Sequence, residues 1–307
     1  TIIGIGDDCA QIGAPEGSFI VTTDVMVEDQ HFHLSWSTGY EVGARVAAQN
    51  LADIDAMGGR PSGLVASVVA PRDMDAEVFL DVVRGLGERA REVGAGVVGG
   101  DLSAGEKLVI SITAFGYCPG PIVRRDGAQP GDVIAVSGTL GFSYAGLDLL
   151  EGGYVDPSAR GSEELGDLAP FIDTYRAPHP PLGSGVAAAA AGATAMMDLS
   201  DGPAADARRM AQASGLVIEF DRPALEAEAR LLQVPAQVCQ ADPVWWVLQG
   251  GEEHGMLAAF PPNAVLPEGF RVVGRTRACR DGETPAAMLG EEVLRGAWDH
   301  FDPESVH

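Results

Sequence analysis

The sequence predicts a mixed α/β protein of two domains, on three observations. Stretches with a helical period alternate with short β-branched runs through the first third of the chain, the pattern of helices covering a sheet. A turn-rich segment from Pro119 to Asp132 interrupts that alternation before it resumes. The 307 residues, 46% of them hydrophobic, are enough for two cores of ordinary size. The expected division is residues 1–120 and residues 121–307.

Each element follows from its residues. Ser18 to Val27 reads as a strand. Between Tyr40 and Met57, apolar side chains recur at Val42, Val46, Leu51, Ile54 and Met57, a helical spacing. Leu64 to Val69 is short and β-branched, hence a strand. Ala76 to Val93 reads as a second amphipathic helix and Leu108 to Tyr117 as a further strand. Past the boundary come a strand from Val133 to Ser137, a helix from Phe142 to Leu150 and an acidic loop from Glu151 to Asp167. The run Arg176-Ala-Pro-His-Pro-Pro181 cannot be helical, because proline fixes φ and lacks an N–H. An alanine-rich helix, a short strand ending at Asp198, a helix from Pro203 to Ala213 and a strand from Leu216 to Phe220 follow. The last third mixes the strands Met256 to Phe260 and Arg271 to Gly274 with short helices.

Charge and cysteine usage exclude whole classes of function. With 44 acidic and 20 basic residues the net charge is −24, which repels both nucleic acid and anionic membranes. Lys107 is the only lysine. Cys9, Cys118, Cys239 and Cys279 lie far apart without a C-x-x-C pair, which argues against a zinc site and fits a reducing cytoplasm. The longest apolar stretch, Val186 to Met197, is mostly alanine and glycine, too short and too weakly hydrophobic to span a bilayer. The chain opens directly on a motif, so a leader is expected before it in the natural protein.

The chemistry is carried by acids set inside apolar, glycine-rich segments. Five clusters are read as a carboxylate beside glycine or a hydroxyl, just after an apolar run: Gly4-Ile-Gly-Asp-Asp-Cys9, Thr22-Thr-Asp24, Asn50-Leu-Ala-Asp53, Gly99-Gly-Asp101 and Asp198-Leu-Ser-Asp-Gly202. A single such cluster would ordinarily be an N-cap or a turn; five of them point to convergence. Carboxylates meeting within a few ångströms repel by several kcal/mol, and hard cations such as Mg²⁺ relieve that through oxygen ligands and substrate phosphates. Asp53 is the sharpest case, since aspartate is unfavourable within a helix. There is no Walker A motif, because leucine follows Lys107, so phosphate must be handled by metals and arginine. Arg125 is the best-placed arginine for it.

These motifs, with Thr-Thr-Asp followed by His31-Phe, Ala-Met-Gly after Asp53, and Gly250-Gly-Glu252, stand in an order that resembles the thiamine-monophosphate kinase family. That family belongs to the superfamily of aminoimidazole ribonucleotide synthetase and selenophosphate synthetase, and the resemblance runs from residue 4 to about 301. It implies that Asp8, Thr22, Thr23, Asp24, Asp53, Asp101, Asp198 and Asp201 hold several Mg²⁺ ions. It implies that Gly100, Asp101, Arg125 and Ser200 contact ATP, and that His31, Glu252 and Trp298 contact thiamine monophosphate. A tryptophan face at position 298 would attract the cationic thiazolium ring. The implied fold is an N-terminal domain that dimerises through a shared β-barrel, joined to a C-terminal α/β domain. Glu253 and His254 depart from the aspartate and tyrosine of the family pattern, a change expected to reshape the substrate pocket.

The implied reaction is in-line transfer of the γ-phosphoryl group of ATP to an already anionic phosphate oxygen. Such a nucleophile needs no strong general base, so catalysis rests on positioning and electrostatics. Two other readings stay open on the residues alone: another ATP-using synthetase of the superfamily, and a non-catalytic acidic protein that binds divalent metals.

Overall fold

The computed structural model describes residues 17 and 19–296. The motif Gly4 to Cys9 with Asp8, and Trp298 near the C-terminus, lie outside the described residues.

The first half of the fold is a four-stranded sheet backed by two helices. Its elements are β1 (Ile20–Val27), α1 (Gly39–Ala56), β2 (Arg60–Pro71), α2 (Ala76–Glu92), β3 (Val97–Gly105) and β4 (Val109–Tyr117). Helix α1 starts at a capping box: the Thr38 N–H donates to Glu41 Oε2 at 2.6 Å, and the Glu41 N–H donates back to Thr38 Oγ1 at 3.2 Å. Asp75 caps α2 by accepting from the Glu77 N–H. The strand order is β1-β4-β2-β3, with β2 and β3 parallel and the other pairs antiparallel.

Two features of this sheet differ from the sequence reading. Strand β2 spans 12 residues and not six, because it pairs with β4 on one side and β3 on the other. Strand β3 was not foreseen, since Gly99-Gly-Asp-Leu-Ser-Ala-Gly105 carries no apolar alternation. Gly100 is needed there for the pairing itself: a Cβ would collide with the Ala66 carbonyl oxygen on β2.

One face of the sheet is core. Met26, Leu64, Ile110 and Ile112 pack against Val42, Val46, Leu51 and Leu86 of α1 and α2. The other face is bare, and Val21 and Val25 on it are 55% and 46% exposed. The sheet of one chain is open and does not close into a barrel.

The second half is a seven-stranded sheet. It comprises β5 (Val133–Val136), α3 (Phe142–Glu151), α4 (Gly161–Leu165), α5 (Ala169–Arg176), α6 (Ser184–Ala190), β6 (Ala195–Asp198), α7 (Pro203–Ser214) and β7 (Leu216–Phe220). Next come α8 (Arg222–Ala229), α9 (Gln233–Cys239), α10 (Pro243–Gln249), β8 (Met256–Phe260), β9 (Arg271–Ala278), β10 (Ala286–Leu289) and β11 (Glu292–Val293). The order is β11-β10-β7-β9-β5-β8-β6. Helix α4 lies within the segment expected to be an acidic loop. The core gathers Ile134, Leu149, Ile172, Met210, Ile218, Trp246 and Leu257.

Helix α1 joins the halves. Ala52 and Ala56 pack with Ala188, Met196 and Phe260 in a third, smaller core. Asp55, fully buried, accepts from the N–H groups of Gly183 and Gly185 at 3.0 Å and of Val186 at 3.3 Å. A carboxylate at the exposed N–H groups of a helix start is favourable, and it locks α1 to α6. Among the described residues, no helix is long and apolar enough to cross a membrane.

Candidate active site

The seam between the two sheets opens into a cavity of about 260 Å³. It is lined by Ile20 and Thr22 of β1, Asp53 and Met57 at the end of α1, Arg125, and Asp198 at the end of β6. Strand alternation sends Thr22 and Asp24 toward α1. The Thr22 hydroxyl donates to Asp53 Oδ2 at 2.7 Å, and the carboxyls of Asp24 and Asp53 hydrogen-bond to each other. Asp53 thus sits within a helix because its side chain serves the seam.

Two carboxyls can share such a bond only while a proton remains between them. Burial, then the charges of Asp198 and Asp24, push the Asp53 carboxyl up to about 7. Asp24 is also raised, first by burial and further by Asp198 and Glu252. Three acidic groups therefore crowd one another at the seam.

Asp198 leads into the second acidic group. The turn Asp198-Leu-Ser-Asp-Gly202 carries the chain from β6 into α7. Asp201 forms an ion pair with Arg209, and its N–H donates to Asp206 Oδ2 at 3.0 Å. Asp206 was missed in the sequence. It is completely buried on the first turn of α7 and takes Arg209 Nη1 at 2.6 Å. Burial, then Asp198 and Asp201, push its carboxyl up to about 7. Its sequence signal was an aspartate three residues before an arginine on a helix, which reads equally well as a surface pair.

A third group lies on the turn after α10. The Glu252 N–H donates to the Ser200 carbonyl at 2.9 Å, and Gly251 is required because a Cβ would strike that same carbonyl. Glu252 Oε2 accepts from Arg45 Nη2 at 2.9 Å. Burial pushes the Glu252 carboxyl up, but Arg45, His254 and His31 together outweigh it and hold the group below its ordinary value. His31 Nδ1 accepts the Val27 N–H at 3.1 Å, which fixes its ring beside this group. His254, 1% exposed, has Nδ1 at 3.1 Å from Asp198 Oδ2 and Nε2 at 4.0 Å from Glu252 Oε2. Burial lowers its basicity, yet Asp198 and Glu252 reverse that and leave it raised.

Glu253 corrects an expectation. Its side chain leaves the cavity and accepts from the backbone N–H groups of Gly141, Phe142 and Ser143 at the start of α3, the last at 2.8 Å. This departure from the family pattern serves a helix terminus, and only His254 of the pair faces the acidic site.

The remaining candidates divide. Arg125 lines the cavity beside Asp53 and Asp198, and Ser200 lies between Asp198 and Asp201. Thr23 points to the bare face, where its hydroxyl donates to the Ile112 carbonyl at 2.9 Å. Asp101 stands apart, paired in register with Ser67, which faces Ser111 and then Val25. Three strand spacings of about 4.8 Å separate it from β1. Its carboxylate accepts from Ser103 Oγ at 3.2 Å. The structure therefore brings together Thr22, Asp24, Asp53, Asp198 and Arg125, with Glu252 and His31 alongside, but not Asp101.

No set of three or more His, Cys, Asp or Glu among the described residues is already arranged to hold a metal ion. The donor chemistry nevertheless fits Mg²⁺: the seam offers carboxylate and hydroxyl oxygens, and burial, with the crowding of Asp198 and Asp24 around it, raises the Asp53 carboxyl in a way that a cation would relieve.

Residues 6–118 match the family described as AIR synthase related protein, N-terminal domain. A thiamine-monophosphate kinase of Mycobacterium tuberculosis (strain CDC 1551 / Oshkosh) is 41% identical over 302 residues, covering 98% of this chain and 86% of that protein. The crystal structure of thiamine monophosphate kinase from Aquifex aeolicus superposes with a TM-score of 0.78 at 29% identity, covering 94% of this chain and 93% of the other. A structure described as AaThiL complexed with AMPPCP and TMP superposes with a TM-score of 0.77, also at 29% identity, covering 92% and 87%.

Proposed function

The chain belongs to the thiamine-monophosphate kinase family, an enzyme family that phosphorylates thiamine monophosphate with ATP, and we propose how its site does so. The observation that carries the reading is the convergence of Asp53 and Asp198, from both halves of the fold, on a cavity that also holds Arg125, with Asp24 beside Asp53. Asp24, Asp53 and Asp198 would hold Mg²⁺, with Thr22 as a neutral oxygen donor, Asp201 near by, and Asp8 outside the described residues. Bound there, Mg²⁺ supplies charge neutralisation between the phosphates.

Arg125 provides fixed positive charge for the nucleotide phosphates, with Ser200 on the adjoining turn. Glu252 and His31 form the other end of the site and orient thiamine monophosphate, with Trp298 assigned there by the resemblance. A phosphate oxygen of the acceptor forms the new P–O bond to the γ-phosphorus of ATP as the bond to the β-phosphate oxygen breaks. The products are thiamine diphosphate and ADP. The acceptor oxygen is already ionised near neutral pH, so no side chain has to remove a proton. The work of these residues is alignment and the relief of repulsion between two anions.

The same reading extends to assembly. Val21, Thr23, Val25 and Asp101 share the bare face, and an open, partly apolar face and its edges require covering. We assign residues 1–120 to a domain that dimerises there as a shared barrel, and residues 121–307 to the second domain. A second copy on that face accounts for Asp101 and Gly100 lying away from the seam of their own chain. We place the enzyme in the cytoplasm, consistent with free Cys118, Cys239 and Cys279.

The test is ATP consumption with magnesium against a panel of phosphorylated acceptors. Turnover that depends on thiamine monophosphate and yields thiamine diphosphate is expected. Turnover only with another acceptor, or metal binding without turnover, would overturn the reading.

A further inference from the structure

We infer that Arg45 is a positioning residue: it fixes the Glu252 carboxylate so that thiamine monophosphate meets it in one orientation. The inference rests on the functional reading above and deepens it.

Arg45 lies in the middle of α1 and is 3% exposed. A buried guanidinium is costly unless its charge and donors are matched. The matching groups come from far along the chain. Nη1 donates to the Tyr175 carbonyl at 3.0 Å, the guanidinium lies 4.9 Å from the centre of the Tyr175 ring, and Nη2 donates to Glu252 Oε2. Three segments, α1, the end of α5 and the turn after α10, meet on this one side chain.

A structural ion pair would be expected to engage Glu252 fully. Instead only Oε2 is held, while the Glu252 side chain is 40% exposed and its Oε1 takes no hydrogen bond among the described residues. The backbone at Glu252 has φ +69°, a left-handed conformation that non-glycine residues rarely adopt. Strain of this kind persists where surrounding contacts impose it. The contacts here are the Arg45 pair and the hydrogen bond to the Ser200 carbonyl. Arg45 thus presents one oxygen of a carboxylate to the cleft at a set angle. Lysine in its place would keep the charge but lose the planar fork that sets that angle.

The experiment compares Arg45→Lys, Glu252→Gln and the double variant by steady-state kinetics, with each substrate varied in turn, and by calorimetric titration with thiamine monophosphate. Arg45→Lys should raise the KM and Kd for thiamine monophosphate about tenfold, the scale of one charge-assisted hydrogen bond. The KM for ATP should stay within about twofold, since Arg45 acts only through Glu252. The double variant should be no worse than Glu252→Gln alone. Equal rises in both KM values, an unchanged thiamine monophosphate KM, or additive effects would overturn the assignment.

If Arg45→Lys does not fold, Glu252→Asp decides the matter. It keeps the charge but withdraws the carboxylate from Arg45, and should match Glu252→Gln in KM; a wild-type KM would overturn the role. A wild-type enzyme that neither binds nor turns over thiamine monophosphate would overturn the functional reading itself. Normal wild-type turnover with unaltered variants would overturn only the part given to Arg45.

Discussion

Strands β5, β6 and β8 of the seven-stranded sheet are buried on both faces, whereas β1 of the four-stranded sheet alternates between core and solvent. Those three strands are covered by their own chain, although Val272 on β9 and Val293 on the edge strand β11 are exposed; the other sheet leaves Val21 and Val25 in the open. Yet the covered half contributes Asp198 at the end of β6 and Glu252 on the turn after α10, and the open one contributes Asp24 along with α1's Asp53. The contrast teaches that stability and chemistry are drawn from both halves in different proportions. Each half has a buried core of its own, while the site is assembled at the seam between them.

The largest test of that division is a pair of substitutions. Asp24→Asn should lower kcat by about 10³-fold or more, the scale of losing an essential electrostatic contact. Its far-UV circular dichroism should stay native, because Asp24 serves the seam and not a core. Leu257→Ala, in the covered sheet, should do the reverse: about 2–5 kcal/mol of lost stability in urea unfolding, with both KM values near wild type below the transition. A folded, active Asp24→Asn enzyme would break the comparison.

The open face offers the next test. Sedimentation at micromolar concentration should give about twice 31.9 kDa for the wild type. Val25→Asp, which puts a charge on the bare face, should shift it to monomer. A wild-type monomer would mean that the face is simply solvated.

A smaller effect separates the halves by pH. Glu253 belongs to the covered half, and burial pushes its carboxyl up to about 7 from an ordinary value of 4.5, against the pull of the α3 N–H groups. Between those values the folded protein keeps a proton that the unfolded chain has lost, so stability falls as pH rises through that window. Glu253→Gln cannot ionise and should flatten the slope by about 1.4 kcal/mol per pH unit, up to about 3 kcal/mol in all. Urea unfolding of both proteins at pH 4.5, 6 and 8 checks this. An unchanged slope would assign the pH dependence to the acids of the seam.

Much of this was legible in the sequence, and the omissions have physical causes. The period of Val42, Val46, Leu51 and Ile54 marked α1, and Asp53 stood out because aspartate has no local reason to be within a helix. Strand β3 was hidden because its glycines serve approach to β2 and leave no alternation to detect. Arg45 and Asp206 were hidden for another reason. A charge on a helix reads as surface, and only pairing across 207 residues, Arg45 with Glu252, reveals it as buried. Motif order placed Asp101 with the other acids, but strand order, which no local pattern encodes, sets it across the sheet.

Helix α1 carries Arg45 and Asp53 eight residues apart, both turned toward the second half of the fold. At 1.5 Å per residue that is an axial offset of about 12 Å, held by a rod that Asp55 pins at its far end. The helix acts as a gauge. On the proposed assignment it sets the interval between Glu252, held by Arg45, and the acids around Asp53. Acceptors would then be sorted by reach as well as by functional group, and a one-residue insertion between positions 45 and 53 would turn the two ends about 100° out of phase.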